Sequence, residues 1–349
     1  MRLLVLGGTA FLGRAVARTA LAAGHEVVCA ARGISGAPAG GVTFVRVDRD
    51  DPDGLAPIAG LEFDALVDVS SRPSHVRRAV AALADRVVAH ATYVSTGSVY
   101  ADDATPGQRV QGARVVEAAP PGVDDPTADG HAAYGPCKVA CEEAFRTGFG
   151  AARVFVCRAG LIIGPEDPSG RFGYWVERLS RGGEVLAPGR PDDPVQYVDV
   201  RDLAGWIVHA AATGLVGTYD GTGAPVTREH FLTHVAVGTE TDKPVQFTWV
   251  DQEFLLARQV RPWMGERSLP LWLPLPAYAG FLTRDVSDSL AAGLHTRDVA
   301  ETARDTLAWL RTIPATDRPV VSGRGAGLTA DEERDLLDAW RGRPETGPR

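Results

Sequence analysis

The chain has little cysteine, no long apolar run and no excess of positive charge. Its four cysteines among 349 residues show no Cys-x-x-Cys spacing, which argues against a zinc or redox centre. No segment approaches the roughly 18 consecutive apolar residues that a membrane helix needs. With 36 Lys and Arg against 44 Asp and Glu, the net charge is -8, so a basic stripe for nucleic acid is not expected. We therefore expect no metal site, no membrane or nucleic-acid partner, and a cytoplasmic location.

A glycine-rich turn follows the first apolar segment, which runs from Leu3 to Leu6. Glycine allows a tight reversal after a strand and lets the main chain approach a pyrophosphate, and the helix that follows points its positive end at that group. A tight strand-to-helix connection without a ligand is the alternative. Ala10 occupies the middle position of the Gly-x-x-Gly-x-x-Gly spacing. The predicted dinucleotide-binding residues of this turn are Gly7, Thr9, Ala10, Phe11, Leu12 and Gly13.

The end of the second apolar segment bears on the choice of cofactor. Residues 26–31 are followed by Arg32, where an acidic side chain would hold the ribose hydroxyls of NAD. A guanidinium suits a 2′-phosphate, so NADP is predicted, with NAD as the alternative if Arg32 is a solvated loop residue. Asp48, at the end of the third predicted strand, is expected to accept a hydrogen bond from the adenine amine.

A tyrosine and a lysine four residues apart, Tyr134 and Lys138, are typical of proton-transfer chemistry. A phenol has an ordinary pKa of about 10, and a neighbouring ammonium favours the phenolate. Residues four apart share one face of a helix, so both side chains can serve one site. Thr96 ends a predicted strand and supplies a hydroxyl that could hold a substrate oxygen. We predict that these three residues are catalytic.

Strands and helices alternate as far as Pro165, which predicts right-handed crossovers and an α/β fold with a doubly wound parallel sheet of the Rossmann type. The predicted elements include a strand over 63–69, a helix over 75–83 and a helix over 135–149. Ser70, directly after the first of these, is a further predicted cofactor-binding residue.

The chain resembles the extended, atypical short-chain dehydrogenases/reductases of the NAD-dependent epimerase/dehydratase family. The resemblance is carried by the Gly-Gly-Thr-x-Phe-x-Gly turn, by the Ser-Thr-Gly-Ser-Val-Tyr segment over 95–100 and by the Tyr-x-x-x-Lys pair. It implies a hydroxyl role for Thr96, and contacts of Tyr134 and Lys138 with the nicotinamide end of the cofactor. It also implies a homodimer as one possible assembly.

The resemblance further implies two domains. Residues 1–165, with 195–215 returning, are expected to form the dinucleotide-binding domain. Residues 166–194 and 216–349 are expected to form a smaller, largely C-terminal substrate-binding domain.

Two departures from the family pattern guide the predicted activity. Gly97 and Ser98 replace the Asp-Glu pair of sugar dehydratases, and Leu161 stands where nucleotide-sugar epimerases commonly carry an asparagine. We therefore predict an NADPH-dependent reductase of a small carbonyl substrate. The alternatives are an NAD-dependent epimerase of a sugar nucleotide and a non-catalytic dinucleotide-binding regulator.

Overall fold

The computed structural model describes residues 1–314 and 326–343. The chain divides into two compact units. Unit 1 comprises Met1–Ile162, Val200–Ala224 and Arg284–Thr296, and unit 2 comprises Ile163–Asp199, Pro225–Thr283 and Arg297–Arg349. Within the described residues, no helix is both long enough and apolar enough to cross a membrane.

The strands are short and are spread along the whole chain. In chain order they are β1 (Arg2–Leu6), β2 (Glu26–Ala31), β3 (Thr43–Arg46), β4 (Phe63–Asp68), β5 (Val87–Thr96), β6 (Val154–Ala159), β7 (Ile162–Ile163), β8 (Gly183–Pro188), β9 (Pro194–Val195), β10 (Val198–Asp199), β11 (Gly217–Gly221), β12 (Val226–Thr227), β13 (Val245–Val250), β14 (Arg261–Trp263) and β15 (Ser268–Pro270).

The helices alternate with the strands in the first part of the chain. In chain order they are α1 (Phe11–Ala22), α2 (Ala56–Ala59), α3 (Pro73–Leu83), α4 (Tyr134–Phe149), α5 (Arg171–Ser180), α6 (Val200–Thr213), α7 (Arg228–Thr239), α8 (Gln252–Ala257), α9 (Ser287–Ala291), α10 (Val299–Thr312) and α11 (Ala330–Arg341).

Unit 1 is built on a seven-stranded sheet with the order β11-β6-β5-β4-β1-β2-β3. All neighbouring strands run parallel, with Leu4 of β1 in register with Val28 and Leu66. Parallel strands covered by helices on both faces are apolar along their length, and Leu3 to Leu6 are fully buried. Helices α1 and α6 pack together, as do α3 and α4. The predicted doubly wound α/β fold is confirmed.

The strand order reverses its direction at β1, which lies between β2 and β4. In doubly wound sheets, ligands bind outside the carboxyl ends of the strands at such a switch point. The turn that contains Gly7 leaves β1 at this position. A ligand site is therefore expected at the carboxyl ends of β1, β2, β4 and β5.

The boundary of unit 1 differs from the predicted domain ranges. The family resemblance implies that residues from 216 onward belong to the second domain, whereas β11 pairs with β6 and belongs to unit 1 together with Arg284–Thr296. The returning segment begins at Val200 rather than at residue 195. A five-residue strand carries no local signal of the sheet that it joins, because pairing is decided by distant residues.

Unit 2 combines helices with small sheets. Strand β13 pairs in parallel with β8, β12 pairs with β9 in the antiparallel sense, and β14 pairs with β15. Its core contains buried aromatic side chains, and the Trp175 indole N–H donates to Pro270 O at 2.7 Å. The rings of Phe172 and Phe231 lie 6.1 Å apart. Unit 2 therefore has an apolar core of its own.

Candidate functional site

The glycine turn is packed so closely that two of its positions exclude a side chain. A Cβ on Gly13 would lie 2.3 Å from Gly7 O, and a Cβ on Gly8 would lie 2.5 Å from the sulfur of Cys29. Gly7 itself has φ +91°, in the left-handed region that favours glycine. The first turn of α1 therefore approaches the end of β1 as closely as backbone allows.

The remaining residues of the turn divide between packing and exposure. Thr9 and Leu12 are buried, Phe11 is half-buried and Ala10 is exposed. Ala10 precedes α1 and has no side-chain oxygen with which to cap it. The N–H groups at a helix start and the helix dipole together favour an anion. A helix N-terminus that glycines bring close to the end of β1 fits the pyrophosphate of a dinucleotide.

Arg32, at the end of β2, is paired with a carboxylate. Its Nη1 lies 3.2 Å from Oδ2 of Asp50, and Nε2 of His75 lies 2.7 Å from Oδ1 of the same carboxylate. The hydrogen bond with His75, with the charges of Arg32 and Arg72, lowers the pKa of Asp50. Burial lowers the pKa of His75, against the opposing effect of Asp50. Asp50 and His75, which come from a loop and a helix distant in sequence, were not among the predicted site residues.

Asp48 lies just after β3, and Ser70 lies just after β4. The Asp48 carboxylate is exposed and accepts a hydrogen bond from Asp50 N at 3.0 Å, which shapes the loop after β3. Ser70 is buried, and its N–H donates to Oδ1 of Asp68 at 2.9 Å. Asp68, fully buried, accepts a hydrogen bond from Arg49 at 2.7 Å. The buried Asp68 was not predicted, although an acidic residue closing an apolar strand was a usable signal.

Lys138 is the most constrained of the predicted catalytic residues. Its side chain is buried, and its Nζ donates to Ser70 O at 2.9 Å and to Val94 O at 2.7 Å. The ammonium also lies 5.0 Å from the centre of the Tyr93 ring, and the Tyr93 hydroxyl donates to Ser70 O at 2.8 Å. The ammonium is therefore fixed between the ends of β4 and β5.

Tyr134 and Thr96 come from adjoining elements. Tyr134 is the first residue of α4 and is half-buried, one helical turn before Lys138. Thr96 ends β5, and its Oγ1 accepts a hydrogen bond from Ser98 N at 3.2 Å. A Cβ on Gly135 would lie 2.3 Å from Ser98 O, so the start of α4 rests directly on the segment that follows Thr96. Backbone contact thus joins the strand end that carries Thr96 to the helix start that carries Tyr134.

A buried ion pair anchors the same helix one turn beyond Lys138. Both oxygens of Glu142 accept hydrogen bonds from Arg158 of β6, at 3.0 and 2.9 Å. Burial alone would raise the pKa of Glu142, but the hydrogen bonds and charge of Arg158 outweigh it, and the pKa lies below its usual value. Arg146 adds a second contact at 3.1 Å. Neither residue of this pair was among the predicted site residues, although Glu142 shares a helix face with Lys138.

Comparison with known proteins places the chain among enzymes of one family. The profile of the NAD dependent epimerase/dehydratase family matches residues 3–219. A comparison with curated proteins finds no match.

Solved structures show the same fold. A presumed epimerase from Burkholderia cenocepacia J2315 has a TM-score of 0.66 at 19% identity, covering 89% of this chain and 98% of that chain. The enzyme WbmH of Bordetella bronchiseptica, in complex with NAD+, has a TM-score of 0.61 at 18% identity, with 89% and 98% covered. The UDP-glucose 4-epimerase of Thermotoga maritima, with UDP-glucose, has a TM-score of 0.61 at 17% identity, with 89% and 99% covered.

At these identities the structural likeness establishes the fold, whereas the profile match spans more than half of the chain. The predicted resemblance is therefore confirmed. The protein belongs to the NAD dependent epimerase/dehydratase family of enzymes.

Proposed function

We propose that the protein is an NADPH-dependent reductase that acts on a small carbonyl compound with Thr96, Tyr134 and Lys138. The observation that carries the proposal is the buried Lys138 ammonium, held by Ser70 O and Val94 O one helical turn from Tyr134. Residues four apart share one face of a helix, so the ammonium and the Tyr134 hydroxyl can serve one site. This supports proton transfer at the carboxyl edge of the sheet.

The turn at Gly7 and Gly13 would hold the pyrophosphate, and Arg32 would hold a 2′-phosphate. The close approach of α1 to β1 supports the first assignment, and the guanidinium at the end of β2 supports the second. Asp48 and Ser70 would contact the adenosine and nicotinamide sides, respectively. When bound, the nicotinamide supplies the hydride for the carbonyl carbon.

Each side chain would have a distinct task. The Tyr134 hydroxyl would give its proton to the substrate oxygen, and Thr96 Oγ1 would donate a hydrogen bond to that oxygen. For this, the Thr96 hydroxyl must turn from Ser98 Oγ, which lies 3.4 Å away. Lys138 would bind the nicotinamide ribose.

The replacement Tyr134→Phe tests the proposal. It should lower NADPH-dependent reduction of small aldehydes and ketones by about 10²- to 10⁴-fold, the usual contribution of a general acid. The dissociation constant of NADPH, followed by nucleotide fluorescence, should stay within about threefold, since the phenol acts on the substrate oxygen. Tyr278→Phe, at an exposed tyrosine of unit 2, is the matched control and should retain full activity. Undiminished turnover of the Tyr134 variant would remove this residue from the mechanism.

A second candidate is an NAD-dependent epimerase of a sugar nucleotide, favoured by solved structures such as the UDP-glucose 4-epimerase of Thermotoga maritima. Leu161 argues against it, because a buried leucine side chain cannot hydrogen-bond a sugar nucleotide. Mass spectrometry of nucleotide released from the denatured protein separates the two. Tightly retained NAD together with C4 epimerisation of UDP-glucose would establish the epimerase, whereas exchangeable NADPH supports the reductase.

The other proposals concern partners and location. We propose that the substrate is a small molecule, that the protein is cytoplasmic and that it forms a homodimer. Size-exclusion chromatography with light scattering would test the homodimer. A non-catalytic dinucleotide-binding regulator would bind NADPH but turn over neither carbonyl compounds nor sugar nucleotides.

A further inference from the structure

The carboxylate that faces Arg32 is held from a second side. Oδ2 of Asp50 lies 3.2 Å from Arg32, while Oδ1 lies 2.7 Å from Nε2 of His75. Asp50 belongs to the loop after β3, Arg32 follows β2, and His75 lies in the first turn of α3. One carboxylate therefore links three separate segments of unit 1 at the place where the cofactor's ribose would lie.

The two contacts of Asp50 differ in how easily they can be exchanged. His75 is buried and its contact with Asp50 is part-buried, whereas the contact between Asp50 and Arg32 is exposed. An exposed ion pair contributes little to stability and yields readily to another anion. Arg49 and Asp124 also face His75, and Arg72 also faces Asp50. We expect Asp50 to remain on His75 when Arg32 takes a new partner.

The consequence for a dinucleotide depends on its 2′ group. A 2′-phosphate bound to Arg32 would stand a few ångströms from the Asp50 carboxylate and be repelled by it. A 2′-hydroxyl carries no charge and can donate a hydrogen bond to the same carboxylate. We propose that Asp50 is a specificity-determining residue that opposes Arg32, lowering the affinity for NADP relative to NAD. This inference rests on the proposed dinucleotide site at the end of β2.

The test compares Asp50→Asn with Asp51→Asn in the full chain. Both remove one negative charge from the same loop, but the Asp51 carboxylate accepts from Asp53 N rather than facing Arg32. Dissociation constants of NADPH and NADH are measured by fluorescence titration. D50N should bind NADPH about tenfold more tightly, the size expected for charges a few ångströms apart in a largely aqueous setting. The affinity for NADH should fall by no more than about threefold, because the amide oxygen introduced by D50N can still accept a hydrogen bond from the 2′-hydroxyl. D51N should change neither constant more than about twofold.

Two further variants separate the effect of the Asp50 charge from the proposed role of Arg32. D50E keeps the charge and should retain the wild-type ratio of the two constants. An equal effect of D50N and D51N, or a D50E ratio equal to that of D50N, overturns the inference, because the charge of Asp50 would not be the cause. Arg32→Ala tests the proposed NADP assignment separately: an unchanged NADPH-to-NADH ratio in that variant defeats the assignment, whereas the D50N and D51N comparison still reports on Asp50.

Discussion

Two ion pairs of unit 1 show how differently charge is used around the candidate site. In the Glu142–Arg158 pair the side chains are 2% and 8% exposed, and two hydrogen bonds join them. In the Arg32–Asp50 pair they are 45% and 50% exposed, with one contact of 3.2 Å. Water and salt screen the second pair but not the first. The buried pair is therefore suited to holding a helix in place, and the exposed pair is suited to recognising a ligand.

The buried pair joins α4, which carries Tyr134 and Lys138, to β6. Because both charges are buried, removing Arg158 leaves Glu142 with only the partly exposed Arg146 as a partner. Lys138 on the same helix is held by carbonyl oxygens instead, so its position depends on the backbone of the ends of β4 and β5. The contrast teaches that the elements carrying the proposed catalytic residues are held by buried contacts, whereas the Arg32–Asp50 pair at the proposed cofactor site is open to exchange.

The largest effect is expected from breaking the buried pair. Arg158→Met should lower the free energy of unfolding by about 3–5 kcal/mol, since Glu142 would remain buried with only a partial partner. Arg146→Met is the matched control on the same carboxylate and should cost less than about 1 kcal/mol, because Arg146 is partly exposed. Urea unfolding followed by circular dichroism measures both. Equal losses in the two variants would show that burial does not distinguish the pairs.

An intermediate effect is expected at the uncharged contact between β1 and α1. Gly13→Ala would place a Cβ 2.3 Å from a backbone oxygen, so the helix must move away. We expect a loss of about 1–3 kcal/mol in unfolding free energy, and weaker binding of both NADPH and NADH. Gly205→Ala, at an open helical position, should change the stability by no more than about 1 kcal/mol. If nucleotide titration finds wild-type affinity in G13A, the turn does not hold the pyrophosphate.

The smallest effect on stability is expected from the exposed pair. Asp50→Asn should change the free energy of unfolding by less than about 1 kcal/mol, as for other solvent-exposed ion pairs. The same urea titration at low and high salt measures it, and the difference from wild type should shrink as salt rises. A loss comparable to that of R158M would mean that Asp50 holds the fold together, which would remove the contrast between the pairs.

Much of the first part of the fold was predictable from local patterns. The helix predicted over 75–83 is α3 at Pro73–Leu83, and the helix predicted over 135–149 is α4 at Tyr134–Phe149. Periodic apolar residues and glycine breaks act within a few positions, so they can be read without knowledge of the fold. The strand end with Thr96 and the helix start with Tyr134 were identified in the same way. Their roles in chemistry remain proposals.

The ion pairs of Arg32 and of Glu142 were not predictable. Asp50 lies 18 residues from Arg32 and 25 from His75, and Glu142 lies 16 residues from Arg158. Nothing in a short window indicates that such residues meet, because their contacts follow from the order of strands in the sheet. Because strand order is set by distant residues, β11 was likewise not expected in the sheet of unit 1.

The sequence by itself determined the α/β class, the glycine turn after β1 and the family, because each depends on residue types at short, fixed spacings. Only the tertiary structure decided which charges are buried and which stay in water. Burial depends on how the elements pack: the Glu142 side chain is buried beside Arg158 of β6, whereas the Asp50 side chain stays half exposed beside Arg32.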